Sequence, residues 1–144
     1  MYSQHVRDVK QDKKLLTAPP DTTVSKAAKL MAKAKVSAVL VLDGESLVGI
    51  FTERDAVTRV IAQERDVQTT RLADVMTAAP QTISPDKTFG HALLMMYENG
   101  FRHVPVIENG KVIGMVSARN ALDPDLEEFT AETSRREQIL RTRN

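Results

Sequence analysis

Two hydroxyl residues, each followed three positions later by a side chain with an acceptor oxygen, have the spacing best suited to chemistry. They are Thr52 with Asp55, and Ser117 with Asn120. Each pair follows a glycine and a short apolar stretch, so each hydroxyl is predicted to cap a helix that begins at a strand end. Such a helix start offers free N–H groups to an anion, and the Asp55 carboxylate could accept two hydrogen bonds from a ribose. The pattern therefore suits a nucleotide.

The same residues also have a purely structural interpretation. A hydroxyl residue with a carboxylate or amide three positions later forms a capping box with a shorter side chain than usual. Capping alone requires neither the preceding glycine nor the same strand-to-helix turn twice. The second copy therefore favours a binding role, and the structural alternative stays open.

The two motifs belong to an internal repeat of the whole sequence. At an offset of 65 residues and without gaps, Pro20 aligns with Pro85, Gly49 with Gly114, and Arg54 with Arg119. Two units of this length are too few for a solenoid, and each alone would bury too little surface. The repeat predicts a pseudo-two-fold pair that packs face to face.

Hydrophobic patterning predicts an α+β (α/β) fold in which each repeat is a small sheet packed by two helices. The predicted strands are 38–42, 47–51, 103–107 and 112–116, and Asn109-Gly110 is a hairpin turn. Thr23 and Thr88 are predicted helix caps. After Thr52, a helix with residues 56, 57, 60 and 61 facing inward is expected. The domain boundaries are 6–64 for the first repeat, 65–71 for a linker, 72–124 for the second repeat and 125–144 for a C-terminal helix and tail.

Composition restricts the class of protein. The chain has 144 residues, a net charge of +1 and no cysteine, and its three histidines are far apart. A disulfide, a thiolate metal site and a cysteine nucleophile are therefore excluded. The sequence contains no apolar run near the ~20 residues of a membrane span and no signal peptide pattern. We expect a cytoplasmic protein without membrane attachment, and nucleic-acid binding is not expected.

The sequence resembles a tandem pair of CBS domains, a Bateman module, over residues 6–122. The motifs that carry this resemblance are VRDV, VSAVLVLDGESLVGIFTERD, LADVMTAAPQTISPD and GFRHVPVIENGKVIGMVSARN. The resemblance implies a regulatory sensor that binds AMP, ADP or ATP between its repeats, and some relatives bind S-adenosylmethionine or NAD instead. It also implies a homodimer and an unidentified effector protein, with a regulatory ligand rather than a catalytic cofactor.

The resemblance assigns two pockets, and each takes residues from both repeats. One pocket joins Thr52 and Asp55 to Thr82, Ile83 and the start of the second repeat's strand, Arg102 and His103. The other joins Ser117 and Asn120 to Thr17, Val36, Ser37 and Ala38. Arg54 and Arg119 are either exposed helix charges or phosphate ligands from across the cleft, and both alternatives stay open.

The two pockets are predicted to differ. Asn120 departs from the family pattern because an amide can accept one ribose hydrogen bond but brings no charge. We therefore expect the Asp55 pocket to be the surer ribose binder. Two rival functions remain: an adaptor with vestigial pockets, and an enzyme such as IMP dehydrogenase, in which CBS pairs occur. The second rival is not expected, because neither a catalytic barrel nor a cysteine is present.

Overall fold

The chain folds into two α+β units that follow the sequence repeat. The computed structural model describes residues 2–10 and 15–121, so the predicted helix in 125–144 lies outside the described residues. The elements are α1 (Val6–Val9), β1 (Thr17–Ala18), α2 (Val24–Ala34), β2 (Ala38–Asp43), β3 (Ser46–Thr52), α3 (Glu53–Asp55) with its π-helical continuation (Ala56–Ile61), α4 (Leu72–Val75), β4 (Thr77–Ala78), α5 (Phe89–Asn99), β5 (His103–Glu108), β6 (Lys111–Ser117) and a 3-10 turn (Ala118–Ala121).

Each repeat is built on an antiparallel hairpin. The first sheet has the order β1-β2-β3-β4, with β1 parallel to β2 and the other pairs antiparallel. The second sheet pairs β5 with β6, and Ile83 makes a parallel bridge to Val106. Ala18 makes the equivalent contact with Val41 in the first sheet. The repeat is therefore preserved in the strand pairing.

Pro105 explains why the second sheet lacks a full counterpart of β1. In the first repeat, Leu40 N donates to Leu16 O at 2.9 Å. Pro105 stands 65 residues after Leu40 and has no N–H, so that bond cannot form. Ile83 still donates to Pro105 O at 3.0 Å, and Ile107 donates to Ile83 O at 3.0 Å. One bridge therefore replaces a two-residue strand.

The two long helices begin at the predicted caps, Thr23 and Thr88. The Thr23 side chain accepts a hydrogen bond from Lys26 N, and the Thr88 side chain accepts one from His91 N. These contacts satisfy N–H groups that have no partner inside the helix. The helices end at Lys35 and Gly100, whose φ values of 57° and 74° lie in the left-handed region.

Each hydrophobic core is completed by a helix from the other sequence repeat. We call α1 and α4 the leading helices because each precedes the strands of its own repeat. Leu72 N donates to Thr22 O at 2.9 Å, and α4 buries Leu72 and Val75 in the core of the first repeat. In the same way, Val6 N donates to Lys87 O at 2.8 Å and Val6 lies in the core of the second repeat. The repeats thus exchange their leading helices.

The repeats meet through a third apolar cluster. Ala38, Leu40 and Ile50 of the first sheet are buried, and Val112 and Met115 of β6 pack against them. The contact joins the faces of the two sheets. The predicted face-to-face arrangement is therefore confirmed.

The prediction that residues 57 and 61 face inward is wrong. Val57 is 56% exposed and Ile61 is 67% exposed, whereas Val60 is buried. The cause is a π-helical segment, in which Ala62 N donates to the carbonyl of Val57, five residues earlier. This wider turn changes the angle between successive side chains, so a pattern read with the α-helical period assigns the wrong face.

Candidate functional site

Asp55 is part of a complete capping box in this structure. Its Oδ2 atom accepts hydrogen bonds from Thr52 N at 3.0 Å and Thr52 Oγ1 at 3.1 Å, while Thr52 Oγ1 accepts one from Asp55 N at 3.3 Å. Asp55 Oδ1 lies 3.6 Å from Arg59 Nε. Asp55 is 8% exposed. A ribose that bound this carboxylate would have to compete with these internal contacts.

Asn120 uses its amide for a contact that a carboxylate could not make. Asn120 Oδ1 accepts hydrogen bonds from Ser117 N at 2.7 Å and Ser117 Oγ at 3.2 Å. Asn120 Nδ2 donates to Val9 O at 3.3 Å. That bond ties the leading helix α1 to the second repeat, which it packs against. The replacement of aspartate by asparagine therefore has a structural reason, because only the amide can donate.

A cavity of about 480 Å³ lies beside the first repeat and includes a residue from the second. From α2 and the residues after it, Ala28, Met31, Ala32, Lys35, Val36 and Ser37 line the cavity. From β3 and the helix that follows, Phe51, Glu53 and Ala56 line it, and Arg119 comes from the second repeat. The cavity thus combines apolar walls with two cations and one carboxylate.

The structure brings together two of the residues predicted for the Asn120 pocket, Val36 and Ser37, with Arg119, for which an exposed charge and a phosphate ligand were both left open. The remaining predicted residues do not line this cavity. Thr17, Thr82 and Arg102 are exposed, and Ala38 and Ile83 lie in apolar clusters. Sequence reasoning missed Lys35, although it directly precedes Val36.

Ser37 and His103 connect the two repeats beside the cavity. Ser37 Oγ lies 2.9 Å from His103 Nε2, within hydrogen-bonding distance. Burial lowers the pKa of His103, an effect that outweighs the raising influence of Glu53 and Asp55 and is reinforced by Arg102. His103 is therefore neutral at pH 7, and its contact with Ser37 is one between uncharged groups.

His103 should make the protein less stable in mild acid. Its pKa is lower in the folded state than the ~6.5 of an unfolded histidine, so the unfolded state binds more protons below that pH. The stabilisation is complete above about pH 6.5 and is lost as the pH falls toward the folded pKa. Urea unfolding at pH 7.5 and 5.5 should show a smaller pH dependence for His103→Gln than for the wild type. His91→Gln, on the exposed side of α5, is the control; an equal change in both variants would contradict the assignment.

Gly49, which precedes the first motif, leaves room for a neighbouring side chain. A Cβ atom at Gly49 would meet the sulfur, the Cγ atom and the Cε methyl group of Met76. Arg59 Nη1 donates to Met76 O at 2.8 Å and helps hold this segment in place. In this structure the space above the glycine is therefore used by Met76.

The fold and the cavity define a paired α+β module that offers a cleft to a small ligand. The sequence profile of the CBS domain family matches residues 6–62 and 72–125. The chain therefore belongs to the CBS domain family, and it carries two such domains.

Known proteins of this family resemble the chain over most of its length. The CBS domain-containing protein CBSCBSPB1 of Arabidopsis thaliana is 42% identical over 76% of the chain, which corresponds to 20% of that protein. A protein with CBS domains from Burkholderia ambifaria, whose structure has been solved, is 33% identical, with a TM-score of 0.77 over 85% of this chain and 91% of that one. A protein from Pyrococcus horikoshii whose structure has been solved is 25% identical, with a TM-score of 0.81 over 87% of this chain and 94% of that one.

The chain spans about a fifth of the length of the Arabidopsis relatives that it matches. CBS domain pairs are in general regulatory, ligand-binding units. Within residues 2–10 and 15–121, no helix is long and apolar enough to cross a membrane. The same residues contain no cluster of three or more histidine and carboxylate side chains that could hold a metal.

Proposed function

We propose that this protein is a regulatory sensor of adenine nucleotides, AMP, ADP or ATP, and that it has no catalytic activity. The observation that carries this proposal is the cavity lined by Val36 and Ser37 from one repeat and Arg119 from the other. A ligand that touches both repeats can favour one relative orientation of them, and an effector protein can recognise that orientation.

The chemistry of the cavity suits a nucleoside phosphate. Its volume of about 480 Å³ lies within the 300–1,000 Å³ range of small-molecule pockets. Met31, Val36 and Phe51 provide apolar surface for a base, whereas Lys35 and Arg119 provide positive charge for a phosphate. An adenosyl ligand without a negative group would leave the net positive charge of Lys35, Arg119 and Glu53 uncompensated.

We also propose that the protein acts in the cytoplasm as a homodimer. The absence of cysteine fits a reducing compartment. Val57 and Ile61 expose apolar surface on the π-helical segment, and a second copy of the chain could cover it. The effector would be a further protein, whose identity the ligand cleft does not specify.

The test of nucleotide binding is a thermal-shift series. AMP at 100 times its Kd should stabilise the protein by ~2.7 kcal/mol and raise Tm, whereas adenosine and GMP should raise Tm less because each lacks one recognised group. A rise with NADH or S-adenosylmethionine but not with AMP would identify another adenosyl ligand. A folded protein whose Tm does not change with any of these compounds would contradict the sensor.

One observation favours the adaptor as a second candidate. The polar side chains of both motifs, Asp55 and Asn120, are buried and already bonded to their own helix starts. In an adaptor with vestigial pockets, the two motifs would serve only to cap these helical turns. The unchanged Tm described above is the result that this alternative predicts.

A further inference from the structure

We propose that each chain binds one nucleotide, in the pocket of Arg119, and that the pseudo-equivalent site of Arg54 is closed. The Arg119 pocket is the 480 Å³ cavity described above. The Arg54 site is the corresponding region of the second repeat. It lies around Gly100, which stands 65 residues after Lys35. This inference rests on the proposed function and specifies which of the two sites performs it.

The first argument is the size of the side chains on the two equivalent helices. In the Arg119 pocket, α2 and the segment after it contribute Ala28, Ala32 and Val36. The second repeat has Leu93, Tyr97 and Phe101 at the corresponding positions. Leu93 and Phe101 pack against the core of that repeat. Tyr97 is 87% exposed, so Leu93 and Phe101 are the larger side chains that fill space on this side of the second repeat.

The second argument is the position of the Arg54 guanidinium. Arg54 Nη1 donates a hydrogen bond to the carbonyl of Gly100 at 3.1 Å, so it reaches from the first repeat to the C-terminal end of α5. The last carbonyls of a helix have no partner inside the helix, and the dipole there favours a cation. This bond holds the Arg54 guanidinium at the end of α5, where it occupies one of its five N–H donors.

The third argument is the different situation of Arg119. Lys35 ends α2 at the position equivalent to Gly100, and its cationic side chain lines the cavity together with Arg119. Two like charges repel one another, so the Lys35 side chain disfavours at α2 the position that Arg54 takes at α5. Among the described residues, the Arg119 side chain has no hydrogen-bond or ion-pair partner. Of the described residues that line the cavity, two are cations and one, Glu53, is a carboxylate, which gives these side chains a net charge of +1.

These contacts reverse the order of the pockets that the motifs suggest. The Asp55 carboxylate favours the first motif, but Asp55 is committed to its helix cap. In the described part of the chain, the open volume and a cation without a side-chain partner instead occur beside the second motif, with Arg119. The anionic group of the ligand, a phosphate monoester, is therefore expected to lie near Lys35 and Arg119.

Calorimetric titration of the full chain with AMP tests this proposal. We expect one AMP per chain, at least a tenfold loss of affinity in Arg119→Ala, and a change of less than threefold in the matched variant Arg54→Ala. Two AMP per chain, or an equal loss in both variants, would overturn the single site. A wild type that is folded but does not bind AMP would count against the proposed function instead.

The open and closed sites can also be distinguished without a ligand. The chain has no cysteine, so single substitutions give clean thiol probes. Met31 and Met96 are equivalent and almost equally buried, at 6% and 5% exposure, but only Met31 lines the cavity. Methyl methanethiosulfonate should modify Met31→Cys at least tenfold faster than Met96→Cys, with both variants checked for native circular dichroism. Equal rates would show that the two sites are equally open and would overturn the proposal whatever the result with AMP.

Discussion

Replacing Leu72 by alanine is expected to lower the free energy of unfolding by about 2–5 kcal/mol. Leu72 is fully buried in the core of the first repeat, although it follows that repeat in sequence. Truncation removes apolar contacts and leaves a cavity among β-sheet side chains that cannot easily collapse. Urea unfolding followed by circular dichroism measures the effect.

The control for this variant is a leucine on the surface. Leu94 lies on α5 and is 53% exposed, so Leu94→Ala should change the free energy of unfolding by less than about 0.5 kcal/mol. In Leu72→Ala, amide exchange of Val39 and Val41, in the core that α4 completes, should accelerate. Faster exchange confined to the second repeat would contradict the exchange of leading helices.

Cutting the chain between residues 66 and 67 is expected to leave two fragments that do not fold alone. The first fragment lacks α4, which its core requires, and the second lacks α1. Each fragment would also be near the size at which a domain buries too little surface. An equimolar mixture should recover native circular dichroism and form a 1:1 complex, measured by light scattering.

The control is a mixture in which one leading helix cannot dock. Val6→Asp in the first fragment places a charge at a fully buried position in the second core and should prevent recovery. The two fragments retain all other contacts, so failure must come from that helix. Cooperative unfolding of fragment 1–66 as a monomer would show that its core does not need α4.

Local signals in the sequence predicted most of the fold. The caps at Thr23 and Thr88 and the turn at Asn109 and Gly110 depend on neighbouring residues alone, so their chemistry is visible without the structure. The destination of a leading helix is not a local property, because α1 presents the same apolar side chains to either core. The π-helical segment was missed because only the α-helical period was applied to residues 56–61.

The candidate site was predicted less completely. The family motifs indicated Val36, Ser37 and Arg119 as candidate binding residues, and these three line one cavity. From the sequence, Asp55 and Asn120 differ in charge, which predicted pockets of different affinity. In the structure both side chains accept hydrogen bonds from the residue that begins their own helical turn. The difference in side-chain size between the repeats is visible in the sequence, because alanines in α2 correspond to leucine and tyrosine in α5. Whether such a difference opens a cavity depends on packing in three dimensions, which spacing does not determine.

The exchange of leading helices also determines when the protein can mature during translation. The first core is incomplete until Leu72 and Val75 have left the ribosome, so the first repeat cannot finish folding when its own strands are made. Val6 is synthesised at the start, but it cannot pack into its core until β6 of the second repeat has been made. At ~5–20 residues per second, this delay is on the order of ten seconds. During that time the apolar side of α1 is open to chaperones and to neighbouring nascent chains.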